Sequence, residues 1–161
     1  MMAKYHMRKK EREITDSSVL KEILKQGKYA VVSMCRDNEP YIVSLSYGYD
    51  EIRDALYIHC SQKGLKLDFI NQNPSVCGTV IEDGGYKMGD CFHAYRSVVF
   101  WGKMYEVKDL PEKKHAIDIL LNHLEDDPAK YKEKSLKSDD AYEEVGILRL
   151  DITEITGKHS S

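Results

Sequence analysis

Residues 41–66 read YIVSLSYGYDEIRDALYIHCSQKGLK, and their order decides the architecture. Tyr41 to Tyr49 alternates. Tyr41, Val43, Leu45, Tyr47 and Tyr49 share one face, and Ile42, Ser44, Ser46 and Gly48 share the other, which is the period of a strand. Asp50 to Asp54 is a turn. Ala55 to Cys60 is the next strand, with Leu56, Ile58 and Cys60 toward a core and Tyr57 and His59 facing away. Two strands joined by so short a connection pair antiparallel. A helix then begins at Gly64, runs to Asn71 and stops before Asn73-Pro74.

Upstream, Tyr29 to Cys35 is β-rich and is followed by the turn Arg36-Asp37-Asn38-Glu39-Pro40. Asp16 to Gln26 reads as a helix with Val19, Leu20, Ile23 and Leu24 in one stripe, and Gly27 supplies the stop. Residues 1–15 form an arm before a single domain at 16–161. Residues 1–6 read as a loose extension, with Met7 a possible start. The arm is basic through Lys4, Arg8, Lys9, Lys10 and Arg12, and it is either a solvated tail or a reach toward an anionic ligand or partner subunit.

Downstream, Ser75 to Ile81 is a strand, and Glu82 to Asp90, with Gly84-Gly85 and Gly89, reads as a mobile connection. Cys91 to Val107 is a long strand. Pro111 to Leu124 is the clearest helix, burying Ile117, Leu120, Leu121 and Leu124, with His115 and His123 read as surface residues. Glu125 to Glu144 holds twelve charged residues in twenty, the composition of a solvated loop or frayed helix. Val145 to Thr153 is the last strand. About six strands joined mostly by hairpins, without a βαβ rhythm, predict an α+β, mainly β chain built as a closed or nearly closed antiparallel barrel with about three packed helices.

The 161 residues carry a net charge of −3, with 42% apolar and 32% charged side chains, the balance of one soluble domain. That charge argues against a dedicated nucleic-acid binder. No apolar run reaches the length of a membrane span, and the opening MMAKYHMRKKEREI lacks the apolar stretch of a secretory signal, so a cytoplasmic protein is expected. Cys35, Cys60, Cys77 and Cys91 are widely spaced, so reduced thiols are expected rather than disulfides or a metal site.

The chemistry concentrates where the strand ending at Cys60 hands over to the helix after Gly64. A helix N-terminus presents unpaired N–H groups and a positive dipole end. Ser61 can donate a hydroxyl, Lys63 and Lys66 can neutralise a dianion, and Gly64 lets backbone approach closely. The result is a phosphate cradle, or else two solvated lysines. Ser44, Ser46 and Gly48 make a face small enough for a flat ring to lie against, and they equally suit an ordinary barrel strand. His59 is a surface histidine or, two residues from Ser61, a ligand contact. No GxGxxG follows a strand, and GxxxxGK[ST], GxSxG and HExxH are absent.

Taken in order, MRKKEREITD (7–16), PYIVSLSYGY (40–49), LYIHCSQKGLKLDFINQNPSVC (56–77), YRSVVFWGKMYEV (95–107) and ILRLDITEITGK (147–158) resemble the FMN-binding split-barrel family of pyridoxamine 5′-phosphate oxidase, in its nitroimidazole-resistance branch. The resemblance implies a six-stranded, Greek-key split barrel and a homodimer with FMN at the subunit interface. Lys66 then resembles the phosphate-binding lysine, and His59, Cys60 and Ser61 the strand-end contacts. Val43, Ser44, Leu45 and Ser46 resemble the strand lying along the isoalloxazine, and Ser97 and Val98 the place where the long strand meets it. Arg8 and Lys158 match recurring basic positions, and Arg96 or Lys158 would stabilise reduced flavin.

Two departures stand out. Leu65 precedes Lys66 where an Arg-Lys pair is common, so Lys63 would compensate. Val99 occupies a basic substrate position of pyridoxamine phosphate oxidases, which turns the reading toward a reductase. That reductase would take a hydride from transient NADH or NADPH and pass electrons to a small aromatic acceptor such as a nitroaromatic, with His59 binding or protonating the acceptor. The alternatives are a non-enzymatic flavin or haem carrier with His59 as axial ligand, a pyridoxamine 5′-phosphate oxidase, or a deazaflavin-dependent reductase.

Overall fold

A computed structural model describes residues 7–161; the expectation of a loose extension at 1–6 lies outside the described residues. After a 3₁₀ turn at Lys10–Arg12 come β1 (Glu13–Ile14), α1 (Ser17–Gln26), β2 (Tyr29–Arg36), β3 (Glu39–Ser46), β4 (Gly48–Asp50) and β5 (Ala55–Cys60). They are followed by α2 (Leu65–Gln72), β6 (Ser75–Lys87), β7 (Phe92–Glu106), α3 (Leu110–Leu124), α4 (Pro128–Ser135), α5 (Asp139–Glu143) and β8 (Gly146–Ser160). The class is the expected one, mainly β with packed helices, but the described residues hold eight strands and five α-helices.

Every ladder is antiparallel, and the strand path runs β3-β2-β6-β7-β8-β5-β4, with β1 added to β8 through Glu13↔Lys158 and Ile14↔Gly157. The two ends of that path, β3 and β4, are consecutive in sequence. Only Tyr47 separates them, so the expected single strand from Tyr41 to Tyr49 is broken there. Tyr47 is fully buried; its hydroxyl donates to Leu24 O at 2.6 Å and its N–H to Lys28 O at 3.3 Å. A buried phenol with one acceptor holds the break in place, and burial pushes its pKa well up.

The barrel interior is closed by α1 and α2, which bring Leu20, Ile23, Leu24, Leu67, Phe69 and Ile70 onto Val32, Leu56, Ile58, Val98 and Phe100. A second cluster lies outside the barrel, where α3 packs Ala116, Ile117, Leu120 and Leu121 over Tyr57 and Ile147. β5 is thus covered on both faces, and Tyr57, expected to face solvent, is fully buried.

Three further expectations change. Residues 82–87 continue β6 against β7 as a hairpin, with a register shift between Asp83 and Tyr86, rather than forming a mobile connection. The last strand runs on to Ser160 because β7 is long enough to pair with all of it. The charged stretch folds into α4 and α5, tied to α3 by Lys132–Asp118, by Lys114–Asp139 at 2.6 Å and by Lys113 Nζ donating to Glu143 O at 2.7 Å. Gly27 ends α1 with φ −63, an ordinary value. Glycine is needed there for space: a Cβ would come within 2.5 Å of Tyr47 Oη and Val80 Cγ1.

Candidate functional site

The cleft begins where the barrel fails to close. β4 pairs Gly48 with Tyr57, but β3, just before it, pairs only with β2. Beyond Tyr57, β3 and β5 approach without a ladder, which leaves two lips. One lip is β3, whose Ser44 and Ser46 are exposed while Val43 and Leu45 turn inward against the core. The other is the end of β5 and the start of α2. Tyr41 stacks on Phe69 at 5.1 Å between centroids, fixing β3 relative to α2.

The second lip carries the cradle. Gly64 is the N-cap of α2 at φ 145, in the region that favours glycine, and no side chain caps the helix. Space around Gly64 is open: nothing lies within 4 Å of where a Cβ would stand. Leu67 and Asp68 N–H groups both turn back onto Gly64 O, at 3.0 and 3.3 Å. Ser61 and Lys63 are exposed, Lys66 is half-buried, and Lys63 N–H approaches Ser61 Oγ at 3.4 Å. The exposed carboxylate of Asp68 shares this first turn. Burial pushes the Cys60 thiol up, and the Lys66 charge pulls it the other way. An uncapped helix start, a hydroxyl and two ammonium groups around open space fit a phosphomonoester.

His59 is exposed and shares the outer face with Tyr57. It lines a cavity of about 180 Å³ under α3 and α4, with Leu120, Leu121, Leu124 and Val145 among the walls. It therefore turns toward the helical layer.

The remaining expected residues lie elsewhere. β8 starts at Gly146 beside Cys60 and reaches Lys158 beside Ser97, so the cradle and Lys158 occupy opposite ends of one strand. There Tyr29, Ile81, Ser97, Val99 and Lys158 line a groove of about 610 Å³ on the outer sheet face. Val98 points inward and is fully buried. Arg96 does not reach the groove as a free cation. Its Nε donates to Glu82 at 2.6 Å and its Nη2 to Glu22 and Glu82 at 2.9 and 3.0 Å, and these carboxylates hold its charge firmly on. Arg8 is exposed near the start of the described chain.

Sequence reasoning missed three histidine contacts. His123 is half-buried: its Nε2 meets Gly27 O at 2.5 Å and its Nδ1 faces Tyr49 N at 3.4 Å, which tie α3 to the β3–β4 break. His115 Nε2 meets Asp50 Oδ2 at 2.6 Å. His93 Nε2 meets Asp83 Oδ1 at 2.6 Å on the rim of the groove. Helical periodicity puts His115 and His123 on the polar side, and nothing local in sequence announces partners 65 and 96 residues away. Among the described residues, no three His, Cys, Asp or Glu side chains gather to hold a metal, and no helix is long and apolar enough to cross a membrane.

Solved structures share this architecture. A putative 5-nitroimidazole antibiotic resistance protein from Bacteroides thetaiotaomicron is 29% identical, with a TM-score of 0.73 over 91% of this chain and 85% of that one. A flavocytochrome from Azotobacter vinelandii superposes with a TM-score of 0.81 at 19% identity, covering 97% of this chain and 72% of that one. An FAD and haem binding protein from Mycobacterium smegmatis gives 0.76 at 20% identity, over 93% of this chain and 74% of that one. The fold is thus one that flavin-binding proteins use. Among curated sequences, an uncharacterised protein of Rhizobium meliloti is 29% identical over 86 residues, 53% of this chain and 50% of its own length, so the match spans about half of that relative. The family model described as pyridoxamine 5′-phosphate oxidase matches residues 16–159, a span that takes in both lips of the cleft and the outer groove. With that match over nearly its whole length, the chain belongs to the pyridoxamine 5′-phosphate oxidase family.

Proposed function

We propose that the chain is an FMN-dependent reductase, working as a homodimer, that takes electrons from NADH or NADPH and reduces a small aromatic acceptor such as a nitroaromatic. The observation that carries this reading is the uncapped, glycine-started helix with Ser61, Lys63 and Lys66 beside the open lip of β3. Lys66 and Lys63 would neutralise the phosphate, Ser61 would donate to it, and the small side chains of Ser44 and Ser46 would let the ring system approach β3. FMN, once bound, supplies hydride chemistry; the protein positions it and excludes water.

The separation of the two sets of residues supports the dimer. The cradle and the Ser97–Lys158 groove sit at opposite ends of β8, so one ligand meets both when a second copy supplies the groove. Tyr29 and Ile81 in that groove are exposed at 62% and 61%, apolar side chains of the kind subunits cover. The test is a fluorescence titration with FMN, run beside a light-scattering mass measurement. A lost charge-assisted bond of roughly 1.5–3 kcal/mol predicts about ten- to a hundred-fold weaker FMN binding in Lys66→Ala. Equal affinity in the two proteins refutes the cradle, and a monomeric mass refutes the shared site.

A further inference from the structure

We propose that His93, oriented by Asp83, is the proton donor to the acceptor, and that it acts in trans on the flavin held by the other subunit's cradle. The inference rests on the reductase reading above.

The strand pair builds this arrangement. β6 and β7 lose register between Asp83 and Tyr86, with Gly85 at φ 83 inside the irregularity. Such bulges re-aim a side chain, and they recur beside functional sites. Here the Asp83 carboxylate takes Gly85 N–H at 2.7 Å and His93 Nε2 at 2.6 Å on the same oxygen, Oδ1. Both bonds hold the carboxyl below its usual range, so it stays an anion. A fixed carboxylate on Nε2 sets the ring's orientation and leaves Nδ1 as the atom that hands over a proton.

His93 stands on a groove with chemistry of its own. Asp83, His93, Tyr95, Ser97 and Lys158 all line it. Asp83 and Tyr86 from β6 contact the imidazole, the Tyr86 ring at 6.3 Å, and Tyr95 from its own strand and Lys158 from β8 line the same groove. Among the described residues no carboxylate lies within ion-pair distance of the Lys158 ammonium, which leaves it available to an oxygen-rich substituent. His59, the other candidate acid, faces the cavity under α3 and α4 instead.

The step balances with the reduced flavin of the proposed function as reductant. A nitroarene takes a hydride from that flavin and the Nδ1 proton of the His93 imidazolium. One N–O bond breaks, and its oxygen leaves as water with both hydrogens. The arene is left as the nitroso compound, two electrons reduced, and the imidazole regains its proton from solvent.

The test uses the FMN-loaded protein with 4-nitrobenzoate. His93→Gln is expected to keep its FMN content and lose about a hundred-fold or more in acceptor reduction. Asp83→Asn is expected to keep its FMN content and to lower kcat while KM for 4-nitrobenzoate stays unchanged. Adding 4-nitrobenzoate to the oxidised, FMN-loaded protein should shift the His93 imidazole resonances in ¹H–¹⁵N spectra. Heterodimers of Lys66→Ala and His93→Gln chains should recover about half of the unmodified rate, because one site then keeps both groups. Normal FMN uptake with an unchanged rate of acceptor reduction in His93→Gln, or an unmoved imidazole signal, overturns the proton assignment and leaves the reductase standing. Heterodimers no better than either parent overturn action in trans. Failure of the unmodified protein to take up FMN overturns the reductase and this inference together.

Discussion

Replacing His123 by phenylalanine keeps a ring beside Tyr47, where the centroids stand 5.0 Å apart, and deletes both ring nitrogens. Gly27 O loses its partner at 2.5 Å, and Tyr49 N–H loses a longer one at 3.4 Å. One good hydrogen bond lost, with a half-buried carbonyl left bare, costs about 1–3 kcal/mol. For a chain of this size that is roughly 2–10 °C in Tm. The pH dependence separates this account from loss of packing. Burial outweighs the opposing pull of the Gly27 bond and lowers the His123 pKa below 6.5. The unfolded chain therefore binds more protons than the folded one just below neutrality, and the clasp's contribution is complete above about pH 6.5 and fades as pH falls toward the folded pKa. Urea denaturation followed by circular dichroism at pH 8 and pH 5.5 should give the larger difference between the two proteins at pH 8. A gap that is constant, or that widens on acidification, refutes the clasp.

Gly27→Ala should cost about 1–3 kcal/mol by thermal denaturation, because its Cβ would press on Tyr47 Oη and Val80 Cγ1, both in the core; an unchanged Tm would mean that the α1–β2 corner yields. Asp50→Asn should lower stability most above pH 4. Burial works to raise the Asp50 carboxyl, but bonds from His115 and Arg53 N–H outweigh it and hold the pKa below 3.8, so this contribution is lost as pH falls through the folded value. Denaturation of both proteins from pH 7 down to pH 2 checks it, with the gap expected to be full above about pH 4 and to narrow as the pH falls below that.

The sequence reading reached the fold class, most strands, α1–α3 and the handover at Cys60–Gly64 because periodicity and helix stops are local signals. It missed the break at Tyr47, since alternation continues through that residue and only the bond to Leu24 O shows why the strand ends. It took 82–90 for a loose connection because three glycines hide a hairpin whose register is set by β7. Arg96 read as a free cation, because Glu22 lies 74 residues away on α1. Ser97 and Lys158 came from family likeness alone, and only the register that sets them side by side puts them on one face.

Tyr47 is the sole residue linking the two ends of the sheet, and it is pinned to α1 through Leu24. The aperture between β3 and β5 is thus gauged from behind, by the seating of a helix whose Leu20, Ile23 and Leu24 share the core beneath both rims. Selection for bulkier or slimmer occupants would leave its mark at the α1–β2 corner, around Leu24, Gly27 and Val80, before it altered any side chain lining the opening.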